Sequence, residues 1–377
     1  MSKRTSFING AITLLVTMGL VVLVAFLADK FFIIDKFIVV ALYLVAGAVI
    51  SGFICSVLHE LGHVLFGKAN GFTLMGIAIW FFKWTKVRGK FKFSFTLPLN
   101  QAGYTEMLPN SDENLSKRLY RMTAGGTILT SLAVIGGIVA LIFVRENLVV
   151  YCLTTMLLPI GVYCVLGNIL PANDSGVRND GAVMLGLKRN DDVAKVTLGI
   201  MKIHAELFNG KTPKEVSESL YFDLPQLPED DINFALLLNV RLYYYLDKGD
   251  FENAKKTIDR LMSLEEYIPK EYFNGIKTEA LYAACTYDYN EIMADDLMYE
   301  LEKYLNSHNA SAEIRAKLAY ILFIKGEKDA LDIFYKKGKR EANRCQLSGY
   351  GVFERRLLDE IKEKAENEID ETPEENN

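Results

Sequence analysis

The sequence predicts a mostly α-helical protein: a polytopic membrane domain of four transmembrane helices with a small β-hairpin, followed by a soluble, α-helical, solenoid-like domain. Three observations carry this. Runs at 7–28, 37–58, 122–144 and 148–173 contain no Asp, Glu, Lys or Arg, and a bilayer span needs about 20 apolar residues. A stretch between the second and third runs alternates polar and apolar residues with a period of two, the pattern of a half-buried strand. Everything after Asn173 is charged and helical in pattern. The hydrophobic share of 50% over 377 residues averages across this asymmetry.

The first span, about 7–28, follows Lys3 and Arg4. Its run is long for a signal peptide and no small-residue cleavage site follows, so a retained helix is expected. The other spans are expected at about 37–66, 122–144 and 148–171. With the N-terminus inside, the inner side receives Lys3, Arg4, Lys68, Lys83, Lys86, Arg88, Lys90, Lys92, Lys117, Arg118 and Arg121. The outer side receives only Lys30, Lys36 and Arg145. This positive-inside bias implies a multi-pass protein of a bacterial cell membrane with both termini cytoplasmic.

Lys90-Phe91-Lys92-Phe93-Ser94-Phe95-Thr96-Leu97 reads as one strand, 72–84 is β-prone, and 87–90 suits a turn. The expectation is a hairpin over about 72–98, lying at or dipping into the inner membrane face. It serves either as a small structural cap or as an edge to which an extended substrate adds as a strand.

The membrane domain is expected to end near 187, with a linker of short helices over 188–230. Helix pairs over 231–365 resemble degenerate tetratricopeptide units, most clearly at Gly249-Asp250-Phe251 followed by Ala254. Such a cytoplasmic repeat-like domain offers a surface for a protein partner. Residues 366–377 are acidic and polar and are expected to form a disordered tail. The net charge of −5 argues against nucleic-acid binding. The five cysteines, Cys55, Cys152, Cys164, Cys285 and Cys345, include no CxxC pair and suit buried positions.

Chemistry concentrates at His59-Glu60-Leu61-Gly62-His63, which uses two of only four histidines. Histidines four apart lie one helical turn above each other, so both reach one metal ion, and Glu60 between them can face a metal-activated water. Two imidazoles, a base and an open coordination position make a zinc hydrolase. A third protein ligand is needed. A His six residues after His63 is excluded, because Ala69 stands there, and no Asp, Glu or His occurs over 64–105. Glu106, Asp112, Glu113, Glu146 and the acids after the fourth run remain. The last group fits best: Asn168 and Pro171 end the run, and Asp174 and then Asp180-Gly181 follow.

An HExxH on a transmembrane helix, then Asn-x-x-Pro, then Asp-Gly, resembles the site-2 protease family of intramembrane zinc metalloproteases over roughly 37–187. The resemblance implies Zn²⁺ held by His59, His63 and Asp180, with Glu60 as general base. It also implies a role for Asn168 in binding the substrate backbone or the developing oxyanion. The gap from Pro171 to Asp180 is longer than in commoner members, which makes Asp174 the alternative third ligand, although Ser175 rather than Gly follows it. The family's Gly-Pro-x-x-Asn element is replaced by Gly125-Gly126-Thr127-Ile128-Leu129-Thr130, whose small residues permit close helix packing.

The implied activity is endopeptidase cleavage of a membrane-spanning or membrane-associated protein or peptide near the cytoplasmic face, within a lipid bilayer. Two competing expectations are a non-catalytic membrane adaptor and a peptide export or immunity component, in which the repeat domain does the work. Four spans without an inverted repeat weigh against transport.

Overall fold

In the computed structural model the described residues are 3–33, 37–87, 89–95, 102–174 and 177–370, with Lys3, Arg4, Val87, Asp174, Glu271 and residues 368–370 described in their backbone only. The chain divides into two compact units, the first of residues 1–86 and 90–194, the second of residues 195–377 together with 87–89.

Among the described residues, four helical segments are long and apolar enough to cross a membrane: Thr5–Phe31, Phe37–Ala69, Leu115–Phe143 and Leu148–Ile169. They correspond to α1 (Lys3–Phe31), α2 (Phe37–Ala69), α3 (Leu115–Phe143) and the pair α4 (Leu148–Thr155) and α5 (Leu157–Ile169). Large apolar side chains such as Phe7, Leu15, Phe26, Phe37, Leu42 and Phe143 point outward. A helix apolar on all sides needs an apolar solvent, which here is lipid. The fourth span breaks between α4 and α5 because Pro159 has no N–H for the Thr155 carbonyl. α2 is the centre of the unit and packs on α1's neighbours α4 and α5 as well as on α3. Its crossing with α3 is close enough that a Cβ on Gly62 would collide with the Gly125 carbonyl.

The sheet is larger than the expected hairpin. Strands β1 (Phe72–Ile79), β2 (Phe82–Val87), β3 (Lys90–Phe95) and β4 (Gly103–Pro109) lie in the order β3-β2-β1-β4. β1 runs antiparallel to β2, with Gly76 opposite Thr85 and Ile79 opposite Phe82. It also runs antiparallel to β4, with Ile77 opposite Thr105. Two features escaped the sequence reading. The turn at Trp80-Phe81 carries no Gly, Pro, Asn or Asp, the usual turn residues; Trp80 takes it with a left-handed φ of 54°. The β4 segment, Gly103–Pro109, has no strict period-two alternation, because its last three residues are all buried. Residues 96–98 of the expected hairpin lie outside the described residues.

After α5 come the two-residue strands β5 (Asn173–Asp174) and β6 (Val177–Arg178), then α6 (Asp180–Arg189) and α7 (Asp192–Phe208). α1 is tied to this segment. Asn9 Nδ2 donates to the Pro171 carbonyl at 2.8 Å, and Asn173 N donates to Ser6 Oγ at 3.1 Å.

The second unit is built of helical hairpins. After the short α8 (Ser219–Phe222) come α9 (Ile232–Lys248) with α10 (Phe251–Met262), α11 (Lys270–Cys285) with α12 (Glu291–Ser307), and α13 (Ser311–Phe323) with α14 (Leu331–Ala342). α15 (Ser348–Asp370) closes the series. Local sequence sets the turns. Gly249 ends α9 in the left-handed conformation, and the Asp250 side chain caps α10 by accepting from Asn253 N. α15 continues past 366, where a tail was expected. Ala365 is buried there and Lys362 pairs with Glu366 one turn on. Residues 371–377 of the expected tail lie outside the described residues.

The core of this unit contains a charge cluster. Arg315 on α13 bonds Glu279 of α11 through Nη2 at 2.8 and 3.0 Å. Its Nε reaches Glu354 of α15 at 3.1 Å. All three are buried, and the Arg315 guanidinium lies 4.1 Å from the centre of the Tyr282 ring. Burial pushes the Glu279 carboxyl above its ordinary range, and the charge of Arg315 offsets only part of this.

Candidate metal centre

α2 presents His59 and His63 on one face, one turn apart. Their rings stand at 89° with centroids 4.7 Å apart, and their Nε2 atoms are separated by 3.1 Å. The first residue of α6 closes the triangle: Asp180 Oδ2 is 3.2 Å from His59 Nε2 and 3.3 Å from His63 Nε2. Among the described residues this is the one group of three such ligand atoms drawn together.

The outer hydrogen bonds define what faces inward. His63 Nδ1 lies 3.1 Å from the Met122 carbonyl, which only accepts, so Nδ1 carries the proton and Nε2 a lone pair. Thr130 Oγ1 gives its own hydrogen to the Gly126 carbonyl at 2.8 Å. It therefore accepts from His59 Nδ1 at 3.3 Å, and His59 Nε2 also bears a lone pair. Two lone pairs and a carboxylate oxygen converge with no proton between them. Asp180 Oδ2 is buried without a hydrogen-bond partner. Such an arrangement repels itself unless a cation lies at its centre. Zinc bonds of about 2.0–2.1 Å in a tetrahedron place ligand atoms about 3.3–3.4 Å apart, close to the separations found. The donor set therefore fits a zinc ion, with the outer partners fixing tautomer and ring angle.

Three local features build this geometry, and only the first, Gly126, was read from the sequence as packing alone. Gly126 of α3 sits under the imidazoles: a Cβ there would lie 2.6 Å from His63 Nε2 and 2.9 Å from His59 Cε1. Gly181 passes against the end of α5, where a Cβ would collide with the Ile169 carbonyl. Asn179 saturates its amide across the α5–α6 junction. Its Nδ2 donates to the carbonyls of Gly167 at 2.6 Å and Leu170 at 2.8 Å. Its Oδ1 accepts from Ala172 N at 2.8 Å and Ala182 N at 3.0 Å. Asn179 is thus the cap of α6, which frees the Asp180 carboxylate to face the histidines. The helix N-terminus favours a negative charge at that position.

Glu60 is buried beside this cluster, close enough to interact electrostatically with His59, His63 and Asp180. Its Oε2 accepts from Thr105 Oγ1 of β4 at 2.6 Å. No signal in the sequence marks Thr105, because only the fold of β4 onto α2 brings it near. Asn168 donates its amide to the Cys164 carbonyl at 2.9 Å, within its own helix. Its backbone carbonyl borders Gly181. Glu106 is on β4 beside Thr105 and Glu146 lies between α3 and α4, neither within the cluster. The side chain of Asp174 lies outside the described residues.

A family model described as Peptidase family M50 matches residues 47–353. Neither the curated proteins nor the solved structures yield a match. The matched stretch takes in His59, Glu60, His63 and Asp180 and extends into α15. Four membrane-length helices accompany it, and the chain belongs to peptidase family M50, the zinc-dependent membrane metallopeptidases of the site-2 protease type.

Proposed function

We propose that this chain is an intramembrane endopeptidase that cleaves a membrane-spanning or membrane-associated protein or peptide near the cytoplasmic face. The observation that carries the reading is the convergence of His59 Nε2, His63 Nε2 and Asp180 Oδ2 beside the buried Glu60. These three residues would hold zinc. When bound, the ion supplies Lewis acidity, lowering the pKa of a water towards about 7 and polarising the scissile carbonyl. Glu60 accepts the proton of the attacking water and later delivers it to the leaving amine. Thr105 holds the Glu60 carboxylate in place through its hydroxyl. Asn168 is the candidate donor to the substrate backbone or the developing oxyanion.

An extended substrate suits this arrangement. β4 is an outer strand of the sheet, and the residue that holds Glu60 belongs to it. A strand added to the open side of β4 runs its peptide bonds past the general base. The concentration of Lys and Arg on the loops beside Lys68 and Arg121 supports a cytoplasmic location for the site and for the second unit. That unit's helical hairpins are the proposed seat of a cytoplasmic partner.

The zinc content of detergent-purified protein tests the reading. Near-stoichiometric zinc is expected in wild type, with loss in Asp180→Ala and retention in Asp174→Ala. Loss only in Asp174→Ala moves the third ligand, and no zinc in any preparation after reconstitution overturns the reading. Asn179→Ala cuts four hydrogen bonds without touching a ligand. It is expected to weaken zinc binding about 10- to 100-fold in competition with a chelator.

A further inference from the structure

We infer that the β2–β3 ribbon is a lipid-binding surface, with its aromatic end in the acyl–headgroup boundary and its cationic end against the phosphates of anionic phospholipids. The inference rests on the membrane spans and not on the proposed peptidase chemistry.

One end of the ribbon is held at the depth of a span. Trp80, at the β1–β2 turn, donates from Nε1 to Ser56 Oγ of α2 at 3.1 Å and stands edge-on to Phe53 at 5.5 Å. Phe53 also meets Phe82 at 6.3 Å. Both Phe53 and Ser56 lie inside the uncharged run of α2. From there the aromatics continue outward on one side of the ribbon. Phe82 meets Phe93 and Phe95 at 6.2 and 6.0 Å, and Trp84 meets Phe93 at 5.4 Å. β3 is exposed along its whole length, with Phe93 51% and Phe95 73% accessible. This surface is continuous through Phe53 with the outward apolar face of α2, where Ile50 and Ile54 are exposed.

Towards the β2–β3 turn the chemistry changes to Lys86, Lys90 and Lys92, and the segment 64–105 itself contains no Asp or Glu. Lys83 is excluded, because it lies over the Tyr104 ring. Aromatic residues at the boundary and lysines at the phosphates form the gradient of an inner membrane interface. A purely apolar protein partner leaves the lysines unmatched, and water leaves the aromatic face unmatched; an anionic leaflet meets both.

The chain has only two tryptophans, Trp80 and Trp84, so Trp80→Phe leaves one reporter on the ribbon. The full-length protein is reconstituted in vesicles of phosphatidylcholine with or without phosphatidylglycerol, each carrying bromine at a set acyl depth. Shallow bromines are expected to quench Trp84, roughly twofold more strongly with phosphatidylglycerol, and this gain is lost in Lys86→Gln/Lys90→Gln/Lys92→Gln. Equal quenching in both lipids overturns the anionic-headgroup assignment. Quenching by aqueous iodide instead, or by neither quencher, places the ribbon in water or under protein and overturns the proposal. If Trp80→Phe does not fold, the same comparison on the two-tryptophan wild type decides it. Glu60→Gln protein must behave as wild type here, which separates this result from the fate of the peptidase reading.

Discussion

Glu60→Gln is expected to lower peptide-bond hydrolysis by about 10²- to 10⁴-fold, the usual contribution of a positioned general base. The substitution keeps the size of the side chain and an oxygen that accepts from Thr105, so the contact with β4 survives. It removes the ability to take a proton from the attacking water. The ligand atoms of His59, His63 and Asp180 are untouched, so zinc content should equal that of wild type. The measurement is turnover of a membrane-spanning model peptide in proteoliposomes, with metal analysis of the same samples. Full activity in the variant sinks the assignment of Glu60. Loss of both zinc and activity shows that Glu60 supports the fold of the centre rather than the proton transfer.

The second large effect lies in the helical unit. Arg315→Met is expected to destabilise the packing of α11, α13 and α15 by about 3–5 kcal/mol, because one partner of a buried ionic cluster is lost and the charges of the others remain. Glu279 and Glu354 are both buried and would face each other without a cation. Burial already pushes Glu279 up, and losing Arg315 pushes it further. A carboxyl whose folded pKa is raised keeps its proton in the folded state at pH values where the unfolded chain has released it. Stability therefore falls as pH rises above the unfolded value of about 4.3, and acidification towards that value partly rescues the variant. Amide hydrogen exchange in α11, α13 and α15 of the full chain reports both effects. A triple replacement, Arg315→Met with Glu279→Leu and Glu354→Leu, should recover most of the loss, since packed apolar groups often equal a buried ion pair. Wild-type protection in Arg315→Met alone contradicts the argument.

Much of the candidate site was legible because its signals are local. His59 and His63 share a face by helical spacing alone, and the spans follow from the length of uncharged runs. Asp180-Gly181 was legible by its motif, and the close pass of Gly181 under Ile169 gives the motif a steric reason. Gly126 and Thr130 were visible as small residues, but their work is done against imidazoles on another helix. The four bonds of Asn179 depend on where α5 ends. Thr105 carried no sequence signal, since a threonine on a strand is ordinary.

The sequence by itself determined where the chain enters lipid, the family likeness, and the pairing of His59 with His63. Each of these depends on residues within a few turns of one another, where hydrophobicity and helical period act without help. Only the tertiary structure decided that Asp180 Oδ2 meets both histidines, that Thr105 holds Glu60, and that a four-stranded sheet lies against α2. Those contacts join segments far apart in the chain. They are fixed by close helix crossings and by buried hydrogen bonds that must be satisfied, and neither has a period to read.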